Sequence, residues 1–171
     1  MSQTNLSAEQ ARPAEDAPPS GLTWGVKRSF MGYLSALSDA EIALGEGATL
    51  VGEGFLNFTL VDSTVDPGTG RGTMHFHGQA LLSGHGGMMS VALRDPRLEL
   101  DGALAVLGVV NGDEAPVPLA TLEDCAFERN GTDLLWSSMR VLLTAEGSEM
   151  FARQYAAGQE LDPVFVRIPL S

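Results

Sequence analysis

Two tyrosines, three histidines, one cysteine and one pair of adjacent cations are the residues of this chain whose chemistry could build a site. Tyr33 lies in the stretch Gly21 to Leu37, where Val26, Phe30, Leu34 and Leu37 recur at helical spacing. That spacing predicts a helix with Thr23 as its N-cap, Tyr33 sharing the buried stripe, and Ser29 one turn earlier on the same side. A buried phenol must find a partner. Lys27, the only lysine, and Arg28 stand side by side in the first turns, where they could hold carboxylates. His75 and His77 fall on one face of a strand, and His85 would join them if the strand continued. Three imidazoles can hold zinc. However, His77 and His85 are separated by roughly 26 Å of extended chain, and no His-Glu-x-x-His helix or cysteine pair accompanies them. His85 instead sits in Ser-Gly-His-Gly-Gly at 83–87, where flanking glycines let the backbone approach a flat ligand closely. Cys125 reads as a small buried hydrophobe in a strand, with thiolate ligation as the alternative. Met88 and Met89 read as core filling rather than thioether ligands.

The elements that must position these residues are mostly strands. Residues 54–66 are rich in aromatic and β-branched residues, and the glycine-rich turn 66–72 predicts an antiparallel return through 73–83. In that return Met74, Phe76, Ala80 and Leu82 share one face, and Thr73, His75, His77, Gln79 and Ser83 share the other. Short strands are expected at 88–93 and 97–102, separated by a turn at Arg94-Asp95-Pro96, and another at 102–112. A pair of long strands joined at Asn130-Gly131 follows. Thr144 then caps a second helix, Ala145–Ala157, which ends at Gly158 and carries Phe151 and Tyr155 one turn apart. Residues 163–169 make the final strand. The fold expected is mainly β: an antiparallel β-sandwich or partly rolled sheet with two α-helices, one near each end of the chain.

At 171 residues with 44% hydrophobic content, the chain suits a single globular domain, assigned to 21–171. A net charge of −12 argues against nucleic acid and anionic membranes as partners. One cysteine excludes an internal disulfide framework. Residues 1–20 combine Ala, Pro, Glu and Ser without a basic or apolar run, which predicts a disordered tail and a cytoplasmic protein with no membrane insertion. There is no Gly-x-Ser-x-Gly elbow, phosphate loop or dinucleotide fingerprint.

Three stretches, WGVKRSFMGYL at 24–34, SGHGG at 83–87 and LLTAEGSEMFARQYAAGQELDPVFV at 142–166, resemble in this order the HtaA-type (haem-transport-associated) domain family of actinobacterial haem-uptake proteins. The resemblance implies ferric haem b held by Tyr33 as the axial ligand, with His85 hydrogen-bonded to it and Ser29 beside it. It also implies Phe151 and Tyr155 lying against the porphyrin, Tyr155 being the alternative ligand. Lys27 and Arg28 become candidates for the propionates. A free phenol titrates at about 10, but ferric iron lowers that value and accepts phenolate as a hard donor. The function implied is haem transport, storage or buffering rather than enzymatic turnover, with haem and another haem-transfer protein as partners, as a monomer or haem-bridged homodimer. The competing readings are a haem- or metal-dependent enzyme using the same pocket and a cofactor-free β-sandwich interaction module. Members of the family are usually exported, which the N-terminal residues do not suggest.

Overall fold

The computed structural model describes residues 19–52, 54–84, 86, 89–110 and 115–169. Residues 1–18 of the tail expected at 1–20, and His85 and Met88, lie outside the described residues. In chain order the elements are β1 (Gly21–Trp24), α1 (Arg28–Ala36), β2 (Glu41–Leu44), β3 (Ala48–Val51), β4 (Phe55–Ser63), β5 (Gly72–His77) and β6 (Gln79–Gly84). They continue as β7 (Met89–Asp101), β8 (Leu104–Val110), β9 (Val117–Glu123), β10 (Glu128–Asn130), β11 (Asp133–Leu143), α2 (Ala145–Met150) and β12 (Glu160–Pro169).

Alternation builds the core. Met74 and Phe76 on β5, Leu98 and Leu100 on β7, Trp136 on β11, and Val164, Val166 and Ile168 on β12 are all buried, while their neighbours in sequence are less so. Eight strands carry this pattern into a closed antiparallel ring, β7–β5–β4–β1–β12–β11–β9–β8, with β8 pairing back onto β7. The rolled-sheet expectation is thus carried to full closure, and a two-sheet sandwich is not formed. Closure pairs both edges of every strand in the ring and leaves no edge there to template aggregation.

One strand serves two layers. The two strands expected at 88–93 and 97–102 are a single strand, β7, thirteen residues long. Asp95 stands at φ +44, and the register against β8 shifts between Arg94 and Arg97, so the expected turn is a bulge that bends the strand. The C-terminal half of β7 lies in the barrel against β5, and its N-terminal half leaves the barrel to pair with β6, which in turn pairs with β2. The matching bend in the neighbouring strand is Gly78, between β5 and β6. The Asp95 carboxylate accepts from the Gly78 N–H at 3.1 Å, and Asp95 N–H donates to the Gly78 carbonyl at 2.8 Å. At φ +139, with an added Cβ 2.7 Å from the backbone of Ala48 and Gly47, only glycine fits there. The result is a three-stranded flap, β2–β6–β7, standing off the barrel.

Candidate functional site

The flap and α1 meet. Trp24 ends β1, and Val26 turns the chain at φ +60, fully buried, a backbone conformation that costs a β-branched residue of order 1–3 kcal/mol. That turn starts α1 at Arg28, and Thr23 remains in the β1 ladder opposite Asn57 and Phe165, so the expected Thr23 cap is not formed. Lys27 occupies the N-cap with no side-chain cap of its own. The Asp162 carboxylate on β12 does that work, accepting from the Arg28 N–H at 2.8 Å. Asp162 N–H donates to the Val26 carbonyl at 2.9 Å, and the Trp24 indole donates to the Asp162 carbonyl at 2.7 Å. Lys27 Nζ reaches the Glu160 carbonyl oxygen at 3.4 Å. Two cations at a helix N-terminus are therefore offset by β12 carboxylates, and Lys27 is already engaged. The Arg28 side chain is exposed and makes no ion pair among the described residues.

Helix α1 buries Phe30 and Leu34 and half-buries Met31 and Leu37. Tyr33, expected in the buried stripe, is instead 44% exposed. It stands about 100° around the helix from Leu34, on the outer side with Ser29, Gly32 and Ala36, all exposed. A Cβ added to Gly32 would meet nothing within 4 Å. The outer face of α1 thus presents one phenol among small residues.

Phe30 points inward. Its ring lies edge-on to Phe151 at 5.4 Å and to Tyr155 at 6.2 Å, and those two rings are 5.9 Å apart. Phe151 is buried, and Tyr155 is half-buried. The helix expected to run to Ala157 stops at Met150, because Ala152 and Arg153 both adopt left-handed φ, +54 and +61. Thr144 caps α2 as expected, its hydroxyl accepting from the Gly147 N–H at 2.8 Å. Ser148 donates to the Tyr155 carbonyl at 2.6 Å, tying the turn that carries Tyr155 to α2.

Gly84 and Gly86 both lie near the chain around and just past the end of α1. A Cβ on Gly84 would lie 2.7 Å from Leu37 Cδ1 and 3.6 Å from Leu34 Cδ2. Gly86 N–H donates to the Asp39 carboxylate, three residues beyond α1. Asp39 and Asp162 are the two positions that sequence reading missed. Each acts across a long stretch of chain, so no local spacing marks either one.

The other candidates are placed apart from α1. His75 Nδ1 lies 2.7 Å from Asp62, and His77 Nδ1 lies 3.0 Å from Asp95, with Glu46 at 3.7 Å from its other ring nitrogen. These are surface pairs, and among the described residues no group of three or more His, Cys, Asp or Glu could hold a metal ion. Cys125 is buried in the connection between β9 and β10 rather than in a strand. Burial, aided by Asp124 and Glu123, pushes its thiol up to about 11, so it stays protonated at neutral pH.

An eight-stranded antiparallel barrel with a flap laid over a short helix defines the structural class. The sequence model of the HtaA family, described as Htaa, matches residues 20–167, and the chain belongs to that family. Its fold is similar to the C-terminal domain of HtaA from Corynebacterium glutamicum, with TM-score 0.75 and 24% identity over 86% of this chain and 94% of that one. It is similar to the N-terminal domain of the same protein, with TM-score 0.72 and 25% identity over 88% and 96%. The heme binding protein HtaB from the same organism matches with TM-score 0.64 and 16% identity over 85% and 90%. No curated protein matches the chain.

Proposed function

We propose that this chain binds ferric haem b on the outer face of α1, with the Tyr33 phenolate as the axial ligand to iron, in haem transport, storage or buffering. One observation carries the reading. Tyr33 is an exposed aromatic on a helix whose outward neighbours are small, so a flat macrocycle can approach its oxygen. Family membership and the resemblance to a heme binding protein support the choice of ligand. When bound, the iron supplies a Lewis-acidic centre that favours the hard phenolate in its ferric state. The chain's own residues orient and release it. Asp162 fixes the start of α1, Gly84 approaches Leu37 just past its last turn, Asp39 accepts from the Gly86 N–H, and His85, in the role the family resemblance implies, would hydrogen-bond the phenolate. The family resemblance sets Tyr155 and Phe151 against the macrocycle, and both rings pack with Phe30; Ser29 lies beside the phenol, and the Arg28 guanidinium pairs with a propionate. Lys27 serves chiefly to anchor α1 to β12.

Phenolate ligation would favour ferric over ferrous iron, so reduction would loosen the haem, which suits a carrier that must let go better than an oxygen binder. Haemin added to the purified protein gives a saturable Soret band at one haem per chain with a ferric-tyrosinate charge-transfer band. Peroxide turnover at that band would favour the enzyme, and absence of the band would leave an interaction module. Size-exclusion chromatography of the titrated protein separates a monomer from a haem-bridged homodimer.

A further inference from the structure

The outer face of the flap carries a second feature, away from α1. Antiparallel pairing sets Ala43 opposite Leu81 and Leu81 opposite Ala92, one row of apolar side chains on the outward side of the flap. Two residues along, Gln79 stands opposite Arg94, and Arg94 opposite Val110. Together these residues line a cleft of about 340 Å³, within the size range of small-molecule sites.

Arg94 is the residue that needs explaining. Arg71, Arg97, Arg140, Arg153 and Arg167 each pair with a carboxylate. With 22 acidic residues against 10 basic ones, a carboxylate partner is easy to find in this chain. Arg94 has no ion pair or hydrogen bond to its side chain among the described residues, and neither does Gln79 beside it. Arg28 and Arg129 also lack ion pairs, but they are exposed, whereas Arg94 is half-buried against apolar neighbours. Its nitrogens are not among the buried unpartnered atoms, so the guanidinium remains open to an incoming carboxylate at the edge of the apolar row. Its planar fork matches a carboxylate in two-point contact.

We propose that this cleft binds a small amphipathic monocarboxylate, its carboxylate held by Arg94 and the Gln79 amide and its hydrocarbon body laid along Ala43, Leu81 and Ala92. The site is independent of Tyr33 and does not rest on haem binding. The probes are octanoate, octan-1-ol and acetate, titrated separately into isotopically labelled protein and followed by amide chemical shifts. Octanoate gives saturable shifts centred on residues 79–81 and 92–94, with at least tenfold tighter binding than octan-1-ol or acetate. Arg94→Gln lowers octanoate affinity at least tenfold, to the level of octan-1-ol, with the remaining spectrum unchanged. Leu81→Asp, on an exposed position, weakens octanoate by a similar factor while Tyr33→Phe leaves it unaltered. Shifts that do not saturate, that centre elsewhere, or that survive Arg94→Gln would overturn the proposal. Equal binding of acetate would overturn it too, since the apolar row would then contribute nothing.

Discussion

Phe30 and Tyr33 stand less than one turn apart on the same helix and face opposite fates. Phe30 is 2% exposed and locked edge-on between Phe151 and Tyr155, whereas Tyr33 is 44% exposed among Ser29, Gly32 and Ala36. The inward ring holds the helix to the barrel. The outward ring is nearly half exposed. A helix of nine residues cannot persist alone in water, and Phe30 is part of what lets it display Tyr33.

The largest effect separates these two roles. Phe30→Ala removes a buried ring from two aromatic contacts and should cost about 3–5 kcal/mol, read as a lowered denaturation midpoint. Tyr33→Phe should change stability by no more than about 0.5 kcal/mol while removing the ligand bands. Comparable destabilisation by both would erase the distinction. Asp162→Ala comes next, deleting the carboxylate that caps α1 from β12, with an expected loss of about 0.5–2 kcal/mol. Restoration by Asp162→Asn, which keeps an acceptor oxygen, distinguishes capping from packing. Asp39→Ala is milder in stability. It releases the Gly86 N–H, so haem should leave faster to an apo-globin scavenger, and an unchanged rate would separate that loop from the ligand.

The smallest effect is electrostatic. Glu160 accepts from Arg140 at 3.0 and 3.2 Å, and that hydrogen bond, the Arg140 charge and nearby Lys27 hold its carboxyl below the ordinary glutamate value. A depressed carboxyl stabilises the fold above the unfolded-state value, and the contribution is lost as pH falls through the folded one. Melting temperature should therefore drop on acidification below the usual glutamate range, and Arg140→Gln should flatten that part of the curve. The pair is exposed, so the change is small.

Much of the framework was legible because strand alternation is local. The face shared by Met74, Phe76, Ala80 and Leu82 is buried as its spacing implies, the Asn130-Gly131 hairpin forms, and Thr144 caps α2. What escaped depends on single backbone conformations and long-range pairing. Val26 in a left-handed turn splits the expected helix into β1 and a shorter α1, and Ala152 and Arg153 stop α2 early. Asp95 turns an expected loop into a bulge within one long strand, and closure of the barrel rests on β7 meeting β8. Tyr33 sits at the margin of its apolar stripe, where three-residue spacing alone does not tell the buried side from the exposed one. Its exposure is what strengthens it as a ligand candidate. Of the three stretches that suggested the family, the first spans β1 and α1, the second begins at the end of β6, where Gly84 approaches Leu37, and the third runs from β11 through α2 to β12, whose Asp162 caps α1.

The most direct test of the central claim is haemin titration of the wild type, Tyr33→Phe and Tyr155→Phe under identical conditions, monitored by the Soret and charge-transfer bands. The account predicts one haem per chain with tyrosinate bands in the wild type and in Tyr155→Phe. In Tyr33→Phe it predicts loss of those bands and of most of the binding, with an unchanged far-UV circular dichroism spectrum. Wild-type bands in Tyr33→Phe, or their loss in Tyr155→Phe alone, would contradict it.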